Sequence, residues 1–119
     1  ASGLAAALDA PSGRPLRILE LGCGVAALPS QVAAAVLGAT VVATDTEHVA
    51  AVAERNVARN AAALRLDGDA AVRVAAYSWS EAEPPPGSPY DLAIGADLLY
   101  DEDPQAALAS ALSAALSPG

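Results

Sequence analysis

Between Ile18 and Ala27 the chain reads ILELGCGVAA, an apolar run that breaks at Gly22 and Gly24 and resumes with helix-like patterning. The run RILELG, bounded by Pro15 and Gly22, suits a strand buried on both faces. Pro29 then stands where a first helical turn accepts proline, and Gly38 closes PSQVAAAVLG as the residue past a helix end. A strand that passes through glycines into a helix is half of a strand–helix–strand unit. That commits the chain to a parallel α/β sheet with right-handed crossovers.

The remaining segments extend the unit. ATVVATD is β-branched and ends in an acid, giving strand two. From Thr46 to about Leu64, Val49, Val52, Ala53, Val57 and Leu64 follow helical spacing. Asn56 and Asn60 fall on or beside that stripe, where buried amides ordinarily satisfy backbone groups or cap helices. AAVRVAAYSW alternates as strand three, EAEPPPGSP is a loop with polyproline character, and YDLAIGAD is strand four. Asp103-Pro104 reads as an N-cap followed by proline at the first position of a last helix. The fold class is therefore a doubly wound α/β sheet, read as one domain over residues 1–119.

Composition narrows the function. The 119 residues carry a net charge of −8 with only six Lys plus Arg, which disfavours a partner recognised through its phosphate backbone. Such a charge more readily meets basic partners. The most apolar window, Val25 to Ala43, is interrupted by Pro29, Ser30, Gln31 and Gly38, so no membrane span is expected. The single cysteine, Cys23, excludes an internal disulfide and a cysteine zinc cluster, and fits a reducing, cytoplasmic or nuclear, compartment. His48 has no ligand or nucleophile cluster around it in sequence.

In open α/β sheets, ligands bind at the carboxyl ends of the strands beside the point where strand order reverses. Gly22 and Gly24 fall there, and Asp45 ends strand two about 20 residues further on, where a carboxylate accepts ribose hydroxyls. Glycine turn and strand-two acid together point to an adenosine cofactor. Gly-x-Gly-x-x-Ala also fits a dinucleotide fingerprint, but two residues favour S-adenosylmethionine. Glu20 places a carboxylate beside the turn, suited to a cationic sulfonium and ammonium and repelling pyrophosphate, although it also suits a structural acceptor for loop amides. Trp79, the only tryptophan, ends strand three within reach of an adenine, or equally plugs the core under the proline loop.

The pieces ILELGCG, VVATD, ERNVARN, YSW and YDLAIGADLLY resemble, in order and spacing from about Leu16 to Tyr100, the protein-lysine methyltransferase branch of the seven-β-strand methyltransferases. The resemblance implies a Rossmann-like sheet, here ending after the fourth strand and its helix, with further strands beyond Gly119. It implies that Gly22, Cys23 and Gly24 line the methionine and ribose side of S-adenosylmethionine, that Asp45 binds the ribose, that Trp79 borders the adenine and that Ala96 lies close to the cofactor. Asp97-Leu98-Leu99-Tyr100 matches the family's Asp-x-x-Tyr unit, which shapes the approach of the substrate side chain. The chain departs from the pattern at Ala26, where glycine is usual, and at Ser78, where an acid is common.

The implied reaction is methyl transfer to a protein lysine. A lysine of reference pKa near 10.4 costs roughly 4–5 kcal/mol to deprotonate at pH 7. An acid paired directly with the ammonium would raise that cost, so Asp97 and Tyr100 are assigned to orienting the amine rather than to general-base catalysis. Two rivals stand beside this reading: an inactive methyltransferase-like module that binds a partner, and an NAD-binding oxidoreductase domain.

Overall fold

The computed structural model describes residues 14–64, 71–78, 83–95 and 105–116. Four strands, β1 (Arg17–Leu21), β2 (Thr40–Asp45), β3 (Ala71–Ala76) and β4 (Leu92–Ile94), form one sheet in the order β3-β2-β1-β4, and every neighbouring pair is parallel. Among the described residues three helices accompany them: α1 (Leu28–Leu37), α2 (Glu47–Leu64) and α3 (Gln105–Leu116). The order reverses between β1 and β4, so the loop leaving β1 stands at the switch point. Strands three and four are shorter than their apolar runs, although the ladder continues past them through Tyr77 N–H to Asp45 O (2.8 Å) and Asp91 N–H to Arg17 O (2.8 Å).

Strand alternation distributes the core. Ile18 of β1 packs with Val41 and with Ala34 of α1, whereas Leu19 and Leu21 point the other way and pack with Ala111 and Ala115 of α3. On β2, Ala43 joins Ala53 and Val57 of α2 on the side that Val41 shares with α1. Thus α1 and α2 cover one face and α3 the other, the doubly wound arrangement anticipated from the glycine turn. Period-two alternation also places Glu20 on the face of Ile18, toward α1.

The far end of the sheet is closed by polar contacts. Asp91, just before β4, accepts a forked pair from Arg14 (2.8 and 2.8 Å) and the N–H of Arg17 (2.8 Å), and the Arg14 guanidinium holds its carboxyl below the usual range. The Arg17 guanidinium lies 5.0 Å from the Tyr90 ring centroid and donates to the carbonyls of Gly87 and Pro89. The proline loop turns back on itself here. Pro85 O accepts both the N–H (3.2 Å) and the hydroxyl (2.6 Å) of Ser88, Gly87 takes φ 85°, and the Ser88-Pro89 peptide is cis. No described helix is long and apolar enough to cross a membrane, and the described residues contain no His, Cys, Asp and Glu group suited to a metal.

Candidate cofactor site

The turn from Gly22 to Ala27 joins β1 to α1 through three left-handed residues, Gly22 (φ 67°), Gly24 (φ 69°) and Ala27 (φ 46°). At Gly24 a Cβ would meet nothing within 4 Å, so the backbone there is open to a ligand as well as left-handed. Ala27 takes the same region with a side chain, a conformation costing about 1–3 kcal/mol that persists only where the surroundings impose it. Its side chain is fully buried against Ala53 and Val57 of α2, which supplies part of that constraint.

The helix that follows has no capping side chain of its own, because its N-cap is Ala27. Glu20 takes that part. Its Oε1 accepts the Ser30 N–H (3.2 Å) and the Ser30 hydroxyl (2.5 Å), satisfying a first-turn donor and placing negative charge at the positive end of α1. Of the two roles open to Glu20, the geometry displays the structural one. Burial nevertheless raises its pKa; the Ser30 bonds oppose that rise, and the charge of Asp45 adds to it. Since the folded-state value lies above the ordinary one, this group's contribution to stability is full below the ordinary carboxylate pKa. It is lost as pH rises through the raised value.

Asp45 ends β2 directly against the glycines. Its Oδ2 accepts the Gly24 N–H (3.0 Å), and its Oδ1 accepts the N–H of Thr46 (2.7 Å). The neighbouring Cys23 N–H donates to Thr44 O (2.9 Å), so the turn is sewn to the end of β2 by two successive amides. Burial pushes the Cys23 thiol up to about 12, with the charges of Glu20 and Asp45 adding to the effect. It is protonated at neutral pH and serves as a small buried side chain, not as a nucleophile.

Glu20, Gly22, Cys23, Gly24 and Asp45, all anticipated from sequence, are thus gathered at the carboxyl ends of the two central strands. Trp79, Ala96, Asp97 and Tyr100 lie outside the described residues, as does the Asp103-Pro104 cap. His48 is exposed on the first turn of α2. Three further side chains hold the turn. Ser30 answers Glu20, buried Gln31 donates through Nε2 to Ala26 O (2.7 Å), and Asn56 donates through Nδ2 to Val25 O (2.7 Å). For Asn56 a bond to backbone is what its type suggested, whereas Ser30 and Gln31 had no assigned part. The signal for Ser30 and Gln31 was two adjacent polar residues in the first turn of an otherwise apolar helix.

The arrangement fits an adenosine cofactor: an open left-handed glycine with a carboxylate at hydrogen-bonding distance from its amide, at the switch point. Two carboxylates flank the turn. The ion pair among the described residues, Arg14 with Asp91, is at the opposite end of the strands.

A family model described as lysine methyltransferase matches residues 4–118. The crystal structure of the S-adenosylmethionine-dependent methyltransferase SibL in its apo form is similar to the chain with a TM-score of 0.53 and 24% identity. The likeness covers 78% of this chain and 25% of that one, so the chain spans about a quarter of that protein's length, and at this identity it shows the fold. No curated protein matches the chain.

Proposed function

The chain belongs to the lysine methyltransferase family, and on that premise we propose that it forms the S-adenosylmethionine-binding portion of an enzyme that methylates lysine side chains of proteins. The observation that carries this reading is the Asp45 carboxylate fixed at the open Gly24 turn. Gly22, Cys23 and Gly24 would hold the methionine and ribose side of the cofactor, and Asp45 the ribose hydroxyls. Glu20 acts through its charge, which favours a cationic ligand over a pyrophosphate.

The cofactor, when bound, supplies a methyl group already activated by a sulfonium, so the protein contributes positioning and charge stabilisation. The turn does the positioning on this side: its amides are held by Thr44 and Asp45, and its helix by Glu20. On the substrate side, resemblance assigns Asp97 and Tyr100 to orienting the lysine amine, Trp79 to the adenine and Ala96 to the cofactor wall. A basic protein substrate suits the net charge of −8. The lone buried cysteine suits a reducing compartment such as the cytoplasm.

The test is transfer itself. The complete protein bearing this chain, incubated with methyl-labelled S-adenosylmethionine and a basic protein fraction, is expected to leave label that acid hydrolysis recovers as methyl-lysine. Asp45→Ala should abolish most of it. Cofactor binding with no label on any protein would contradict the proposal and favour an inactive, partner-binding module.

A further inference from the structure

Two side-chain amides converge on the glycine turn from two different helices. Asn56 of α2 holds the carbonyl of Val25 and Gln31 of α1 holds that of Ala26, each at 2.7 Å. These carbonyls are consecutive, and they lie between the left-handed residues Gly24 and Ala27. A peptide group turns as a rigid plane about its flanking Cα atoms, so pinning two successive planes removes rotation that the glycines alone would permit. Immediately upstream are the amides of Cys23 and Gly24, bonded to Thr44 and Asp45.

Need for a hydrogen-bond partner does not explain the Asn56 contact. Val25 is 51% exposed and the bond lies at the surface, where water serves a carbonyl nearly as well. What the amide adds is a fixed direction, delivered from a residue 31 positions away on another element.

We propose that Asn56 and Gln31 are positioning residues of the cofactor site. Their amides hold the peptide planes after Val25 and Ala26 and thereby keep the Gly22–Gly24 backbone and the Asp45 carboxylate in register for the ligand. The inference rests on the cofactor reading above, and its test separates the two.

Asn56→Asp keeps the size of the side chain and turns its donor into an acceptor facing the Val25 carbonyl. Asn60→Asp makes the same charge change one turn further along α2, at an exposed position. In calorimetric titration of the full chain with S-adenosylhomocysteine, Asn56→Asp is expected to bind about tenfold more weakly, the scale of one hydrogen bond. Asn60→Asp should match the unsubstituted chain. In the ligand-free chain, the Cys23 and Gly24 amides of Asn56→Asp should exchange hydrogen about tenfold faster, while amides within β1 and β2 keep their rates. A merely structural role would move the sheet amides too.

Unchanged affinity together with unchanged exchange at Cys23 and Gly24 would overturn the inference, as would an equal loss from Asn60→Asp. If the unsubstituted chain binds no S-adenosylhomocysteine, the cofactor reading falls. The exchange rates then decide the clamp alone, with local acceleration retaining it and no acceleration removing it. Asn56→Ala, which only deletes the donor, should shift both readouts in the same direction by a smaller factor, and supplies the measurement if the aspartate variant does not fold.

Discussion

Asp45→Ala is expected to weaken S-adenosylhomocysteine binding by about 1–3 kcal/mol, roughly five- to 150-fold, as for losing charge-assisted hydrogen bonds. The carboxylate already receives the Gly24 and Thr46 amides, at 3.0 and 2.7 Å, so it is held in place before any ligand arrives. Preorganisation of this kind lowers the ordering cost of binding. The alanine variant therefore loses the ribose acceptor and also releases the Gly24 amide from its tether. Asp45→Asn separates the two effects, because it retains one carbonyl acceptor while removing the charge. Calorimetric titration of all three chains checks this, and equal affinities would take Asp45 out of the site.

The largest stability loss is expected at Leu19. It is completely buried in the cluster that β1 shares with α3, with Tyr77, Tyr90, Ala111 and Ala115 as fellow members and Leu112 packed against it. Leu19→Ala should therefore cost about 2–5 kcal/mol by loss of transfer energy and packing. Against a total of about 5–15 kcal/mol for a domain, that is at least about an eighth of the stability and for a marginal domain most of it. Urea unfolding measures it. Val36→Ala, on the outer side of α1 at 47% exposure, is the matching control and should stay within about 0.5 kcal/mol. A loss at Leu19 no greater than at Val36 would mean that α3 does not seal this face.

These two positions also show what the sequence discloses. Leu19 and Asp45 were legible because local patterns define them: an apolar run between proline and glycine, and an acid closing a β-branched run. The same holds for Gly38, which takes φ 66° and returns its N–H to Ala34 O at 3.1 Å, as a residue past a helix end does. The Glu20–Ser30 cap was less legible. Both residue types were visible, but their pairing depends on which face of β1 meets α1, and a carboxylate beside a glycine turn suits a cation equally well.

The left-handed Ala27 carries no local signature at all, since alanine there is dictated by burial against α2 and not by its own preference. Asn56 declared itself as a polar residue beside an apolar stripe, yet its partner is 31 residues away and becomes apparent only when α2 is laid against the turn. Likewise Arg14, Arg17 and Asp91 gave no motif, because their network joins segments 70 or more residues apart. Three consecutive prolines suggested an extended stretch; the loop instead closes through Ser88 onto Pro85, with Gly87 providing the positive φ.

The proposed function requires the turn between β1 and α1 to hold a cationic adenosine cofactor and not a dinucleotide. Parallel calorimetric titrations of the folded chain with S-adenosylhomocysteine and with NAD separate the two. The homocysteine compound, which keeps the ribose and the ammonium, is expected to bind, with NAD giving no heat because the charge of Glu20 beside the turn repels its pyrophosphate. Binding of NAD, or of neither compound by a chain that circular dichroism shows to be folded, would contradict the proposal.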